Sequence, residues 1–414
     1  MLKKSGVVKG ATTRTKKYAT VHRDDIFDLA YNVYYSPYVA KRPSAPHLDT
    51  RLRLVLCHAT GVQKEYWEPI IERWFADPAI GGIVSEIYAY DNYSHGDSGL
   101  LNRHKVGNES NWLDNSRDLV AFCHGLGLSS RNGSPLVAIG HSLGGSTCLY
   151  AAVLDPGLFT SIVAIEPVAY DGSISNPKKA KDPLRLLHYM KSSLKDEFSS
   201  REDWLNYFEK ESMYAPFDLR VKSALRDTLV YQEDGKYKVK TPTWAHVQSY
   251  IGSRHSIRAI YNGLLNIGIP TLHIVGGSAR WNHPDTGKAI SHALGEVGEL
   301  IVVPKVGHML VAENPVETAD SVKSFLVKSR KHWIDNEGCL DPATGKVSSS
   351  KDYDSLFIPD PEFFEHDTLG QKVEAHRNSI GHALDLAVKG DASHLPGPDI
   401  LRQAIDLANA KAKL

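Results

Sequence analysis

The chain is poor in several features that would settle its class at once. It has four cysteines in 414 residues, Cys57, Cys123, Cys148 and Cys339, far apart and with no C-x-x-C pair. They read as buried thiols in a disulfide-free compartment. It has no net charge, with 48 Lys+Arg against 48 Asp+Glu. No overall field therefore draws it onto nucleic acid or an anionic membrane. No apolar run approaches the length of a transmembrane helix. No phosphate-cradling P-loop or G-x-G-x-x-G follows a strand, and no basic patch is interleaved with aromatics. His283, His292, His366, His376 and His382 show no paired metal-ligand spacing. No cofactor, metal or nucleic-acid partner is expected.

What is present is ordinary globular composition, 42% apolar and 23% charged. A chain of this length buries a sizeable core without disulfides. Lys3, Lys4, Lys9, Arg14, Lys16 and Lys17 precede the first acid, Asp24. This basic end lacks the apolar centre of a secretory signal. It reads as a frayed, solvated terminus, with a mitochondrial presequence as the alternative. The chain closes on Ala412-Lys413-Leu414, a small-basic-Leu variant of the peroxisomal address S-K-L. In a eukaryotic host that tripeptide predicts an import receptor as partner and the peroxisomal matrix as location.

Short apolar runs alternate with helical segments. Strands are expected at 52–57, 84–90, 136–140, 161–165, 271–275 and 300–303, and helices at 64–76, 113–126, 143–154, 284–294 and 315–328. Continuous apolar runs of this kind suit parallel strands covered on both faces. Their alternation with helices argues for an α/β sheet with right-handed crossovers. An antiparallel edge strand is expected at 26–35. The alternation breaks at 170–266, where helices are expected at 183–198 and 204–211 and no clear strand is seen. That stretch reads as a helical cap between two parts of the core, 1–169 and 267–330. A polar extension, 331–414, follows and ends helical at about 398–410.

The chemistry gathers on the third strand. It runs into Gly140-His141-Ser142-Leu143-Gly144-Gly145, a G-x-S-x-G nucleophile elbow followed by a small-residue helix. The turn holds a serine at strained φ/ψ at a helix N-terminus, whose positive end favours an oxyanion. A serine nucleophile needs a base and an orienting acid, in the chain order Ser, acid, His. His308 lies just past the last strand and is followed by Glu313-Asn314-Pro315. The loop after the penultimate strand, Gly276-Gly277-Ser278-Ala279-Arg280, has no carboxylate. Glu166 instead closes the apolar strand after the nucleophile helix, where a charge is costly without a partner. It is taken as the acid, with Asp285 as the alternative. Leu143 and Thr60 are taken as the oxyanion N–H donors, with Ala59 the alternative to Thr60. The turn Asp91–Gly99, which contains His95 and Asp97, reads as structural.

These pieces resemble the α/β-hydrolases. With Asn111-Trp112, Ile165-Glu166-Pro167-Val168 and His273-Ile274-Val275-Gly276, they resemble in particular the fungal peroxisomal group. That group includes the yeast peroxisomal lipase and the ester and acyl-CoA hydrolases of toxin and polyketide pathways. The resemblance covers roughly residues 20–330. It implies an α/β-hydrolase fold, with a mostly parallel sheet, helices on both faces and a cap. It also implies a carboxylate on the strand after the nucleophile, although the pathway thioesterases have Asp where this chain has Glu166. The expected activity is hydrolysis of an ester or acyl-CoA thioester with an apolar acyl group through an acyl-enzyme on Ser142. An acyltransferase using the same intermediate and a non-catalytic receptor or scaffold are the rival readings.

Overall fold

Strands of alternating apolar side chains separate two cores. The computed structural model describes residues 2–38, 50–132, 134–170, 190–254, 256–282 and 285–336. These belong to one compact unit, Met1–Val347. The expected helix at 398–410 and the tripeptide Ala412-Lys413-Leu414 lie outside the described residues. The main sheet comprises β1 (Leu2–Lys9), β2 (Asp28–Tyr35), β3 (Leu52–Cys57), β4 (Val84–Tyr90), β5 (Leu136–His141), β6 (Ser161–Ile165), β10 (Thr271–Gly276) and β11 (Gly298–Val303). Its order is β1-β2-β4-β3-β5-β6-β10-β11. The strands from β4 to β11 are parallel, and β1 and β2 are antiparallel. In β3, Leu52, Leu54 and Leu56 join one core, and Val55 and Cys57 the other. This is the fold the sequence predicts, an α/β-hydrolase sheet.

The helices that cover it are α1 (Glu68–Ala76), α2 (Pro78–Gly81), α3 (Gly96–Asn102), α4 (Trp112–Gly125) and α5 (Leu143–Leu154) in the first half. Later come α6 (Arg201–Lys210), α7 (Leu219–Leu225), α8 (Thr243–Ser253), α9 (Ile257–Gly263), α10 (Thr286–Leu294), α11 (Leu310–Glu313) and α12 (Pro315–Asn336). α5 is uniformly small or apolar, because it is buried against the sheet along nearly its whole length.

Three expectations need correction. The N-terminus is not frayed: β1 pairs in register with β2 from Leu2↔Tyr35 to Lys9↔Asp28, so β2 is not the edge strand. Most β1 side chains are exposed, so backbone pairing forms this strand without an apolar signature. Second, 170–266 is not purely helical. It contains a small sheet of β7 (Glu197–Phe198), β8 (Val230–Glu233) and β9 (Lys236–Val239), in the order β7-β9-β8. Asp234 and Gly235 take φ of 54° and 75°, the paired left-handed conformation of a two-residue hairpin turn. Third, the helix expected at 183–198 does not reach 198, because Phe198 is in β7. Residues 183–189 of that span lie outside the described residues.

Candidate active site

The G-x-S-x-G turn at the end of β5 is shaped by close backbone contacts. Ser142 takes φ 53° and ψ −113°, a strained conformation for a non-glycine residue. A Cβ on Gly140 would stand 2.1 Å from the Gly144 carbonyl oxygen, and one on Gly144 would stand 2.0 Å from the Cys57 carbonyl oxygen. Only glycine fits at either position. Ser142 thus projects from the junction of β5 and α5, and Leu143 is the first residue of α5. Its N–H lies in the first turn, which has no intrahelical acceptor.

The structure brings Ser142, His308 and Glu166 together. His308 Nε2 is 3.0 Å from Ser142 Oγ, and His308 Nδ1 is 3.0 Å from Glu166 Oε2. With Nδ1 donating to the carboxylate, Nε2 is left to accept from the serine hydroxyl. Glu166 also has a positive φ, 46°, and is 2% exposed. Its Oε1 accepts from the Gly276 N–H at 2.7 Å, and its Oε2 accepts from Asn282 Nδ2 at 2.9 Å. These donors satisfy a carboxylate that water does not reach. Asp285, the alternative acid, stands at the N-cap of α10. The Glu313 carboxylate accepts from the Gly307 N–H at 3.0 Å and shapes the loop that carries His308.

The loop after β3 is held from several sides. Asn92 N–H donates to His58 Nε2 at 2.9 Å, so the other ring nitrogen, Nδ1, donates to the Ala59 carbonyl at 2.7 Å. Thr60 is buried, and its Oγ1 meets Ser249 Oγ of α8 at 3.2 Å. Gly61 has φ 87°, and a Cβ there would stand 2.8 Å from His246 Cε1. Below the loop, buried Lys64 bonds Asp91 at 2.8 Å and Asp97 at 2.5 Å. Asp91 also accepts from the Lys64 and Asp97 N–H groups. His95 is fully buried, with Nδ1 3.0 Å from Ser94 Oγ. Asp91, His95 and Asp97 thus serve the turn itself. Burial pushes His58 and His246 down to about 4 and holds His95 well below its ordinary value, so all three are neutral.

Sequence reasoning missed Asn282 and the Gly276 N–H, which hold Glu166, and Trp281, whose ring lies 5.7 Å from the His308 ring. The Tyr250 ring, on α8, lies 5.6 Å from the Trp281 ring. The only signal was position: Gly276 closes the penultimate strand and Trp281 and Asn282 follow it, and none of the three is a carboxylate. Cys57, Cys123 and Cys148 are free and buried; Cys339 lies outside the described residues. Among the described residues no group of three or more His, Cys, Asp or Glu could hold a metal ion, and no helix is long and apolar enough to cross a membrane.

A model of the alpha/beta hydrolase family matches residues 54–321. The chain is 27% identical over 313 residues to the peroxisomal membrane protein LPX1 of Saccharomyces cerevisiae, covering 72% of this chain and 80% of that protein. It is 30% identical over 162 residues to the type I acyl-CoA thioesterase mpaH' of Penicillium brevicompactum, covering 39% of this chain and 36% of that relative. The crystal structure of the yeast protein, a peroxisomal alpha-beta-hydrolase, has a TM-score of 0.70 at 22% identity. That likeness covers 92% of this chain and 97% of the yeast chain, and at such identity it speaks for the fold.

Proposed function

The chain belongs to the alpha/beta hydrolase family, and on that premise we propose that it is a serine hydrolase of carboxylic esters or thioesters with an apolar acyl group. The observation that supports this reading is the unbroken hydrogen-bonded chain from Ser142 Oγ through His308 to Glu166. In the proposed cycle His308 Nε2 takes the Ser142 proton as Oγ attacks the acyl carbon. The N–H groups of Leu143 and Thr60 receive the developing oxyanion. His308 then returns the proton to the leaving alcohol or thiol. Water, activated by the same nitrogen, releases the acid. Glu166 holds the imidazole by Nδ1–H and stabilises its charged form. The acyl group we assign as apolar because the Trp281 ring stands 5.7 Å from the His308 ring and the Tyr250 ring stands 5.6 Å from Trp281. The thioester option draws on the Penicillium relative named as an acyl-CoA thioesterase. In this reading 170–266 is a cap between the core parts 1–169 and 267–330, and 331–414 is an extension.

The test is Ser142→Ala in the full chain, assayed on p-nitrophenyl esters beside acyl-CoAs of several lengths. Turnover should fall by about 10³-fold or more with the melting temperature unchanged. A fluorophosphonate should label Ser142 in the native protein. Retained turnover in the variant would remove the serine mechanism.

We propose a peroxisomal location, supported by the name of the yeast relative and by Ala412-Lys413-Leu414. A fluorescent protein ending in the same C-terminal peptide should enter peroxisomes through the import receptor. Removal of the three residues from the full chain should leave it in the cytosol with its activity in vitro intact. A cytosolic fusion would rule this location out.

A further inference from the structure

His141 precedes the nucleophile and has no part in the proton transfers above. It is fully buried at the end of β5, opposite Ile165 of β6. Its Nε2 lies 2.8 Å from the backbone carbonyl oxygen of His308. Its Nδ1 lies 3.1 Å from the hydroxyl of Tyr66, which is also fully buried. A carbonyl oxygen only accepts, so Nε2 must bear the ring proton. Nδ1 then has the lone pair, and the Tyr66 hydroxyl must donate to it. The tautomer of His141 is thereby set by its two partners. Burial pushes His141 down to about 3 and holds the Tyr66 hydroxyl well above its ordinary value, so neither changes charge where the enzyme would work.

We propose that Tyr66 and His141 are positioning residues that tie the loop bearing His308 to the strand bearing Ser142. This rests on the serine-hydrolase reading, in which the separation of His308 Nε2 and Ser142 Oγ governs the rate. His141 and Ser142 are consecutive, so a hydrogen bond from His141 to the His308 carbonyl fixes the base relative to the nucleophile through one peptide unit. The His308 loop, between β11 and α11, is also held by the Glu313 carboxylate on the Gly307 N–H and by the Ser278 N–H on the Val306 carbonyl. The rings of His141 and His308 also stand 5.3 Å apart, tilted by 43°. Tyr66 lies on the short helical turn Lys64–Trp67 that follows the loop after β3, so the relay joins that segment to the His308 loop through His141.

The experiment compares His141→Leu, His141→Gln, His141→Asn and Tyr66→Phe with the native chain and Ser142→Ala. The readouts are kcat and KM on a p-nitrophenyl ester, the rate of fluorophosphonate labelling of Ser142, and thermal melting. Leu, which has no donor, and Asn, whose amide N–H stops about one methylene short of the His308 carbonyl, should lower kcat and the labelling rate together by about 10- to 100-fold, with KM little changed. Gln places an amide N–H where Nε2 stood and should recover both to within about threefold of native. Tyr66→Phe should lower kcat less, and add little on top of His141→Leu, because the two act through one bond. If Leu fails to fold, the contrast of Gln with Asn decides alone. Native kcat in His141→Leu, or equal kcat in Gln and Asn, would overturn the relay while leaving the hydrolase reading in place. A native chain that neither turns over esters nor labels at Ser142 would overturn both.

Discussion

Glu166 combines a positive φ with near-complete burial and three hydrogen-bond donors, from Gly276, Asn282 and His308. Every partner is a donor, so the site is built for an acceptor on both oxygens. Gln preserves the shape but turns one acceptor into an N–H that faces a donor. Glu166→Gln should therefore lower kcat by about 10²- to 10⁴-fold. Asp285→Asn, at the N-cap of α10, should leave kcat within about twofold of native, as expected for a residue outside the reacting set. Steady-state kinetics of the two variants settles the choice; the reverse result would move the acid to the loop after β10. The sequence pointed to Glu166 because a lone charge closes an apolar strand. It did not point to Asn282, because an amide on a loop has no cost until a carboxylate is folded beside it.

At the scale of elements, the N-terminal segment is anchored where its composition suggested solvent. Beyond β1, Arg14 forms a bidentate pair with Asp118 of α4 at 2.7 and 2.9 Å. Their side chains are 4% and 2% exposed, and the guanidinium lies 4.3 Å from the centroid of the Phe27 ring. Arg14→Ala would leave a buried carboxylate with only the Ala11 N–H to hold it. The expected loss is about 3–5 kcal/mol of stability, read as a lower urea midpoint. Turnover per folded molecule should stay at the native value. An unchanged midpoint would show that the pair contributes nothing beyond what water supplies. Six basic residues before the first acid look like a solvated tail in one dimension; the acid that partners Arg14 lies about a hundred positions away.

Across the whole molecule, neutral buried histidines set the response to acid. His58, His246 and His273 are held near pKa 4 and His141 near 3, and His95 lies well below its ordinary value, all by burial. Among the described residues His273 has no hydrogen-bond partner on either ring nitrogen. Each folded-state value is depressed below the unfolded value of 6.5, so the unfolded chain binds more protons between pH 6.5 and about 4. Stability should therefore be full above pH 6.5 and fall as the pH drops. The slope contributed by each histidine approaches about 1.4 kcal/mol per pH unit. Urea midpoints measured from pH 7.5 down to 4.5 should decline steadily below 6.5. A flat profile would mean that these rings gain protons without unfolding.

The sequence alone determined the strand-helix alternation, the elbow, and the serine, acid and histidine that meet there. These rest on local rules: continuous apolar runs for covered strands, glycine where a Cβ would strike a carbonyl, one charge at the end of an apolar strand. Only tertiary structure decided the rest. β1 pairs through its backbone, so its side chains carry no pattern to read. The β7-β9-β8 sheet is made of strands of two and four residues, too short to show a period. Asn282 and the Gly276 N–H became partners of Glu166, and His141 of His308, only when separate loops were folded onto neighbouring strand ends. A hydrogen bond between residues more than a hundred positions apart has no local signature, because its energy depends on a distance that the whole sheet sets.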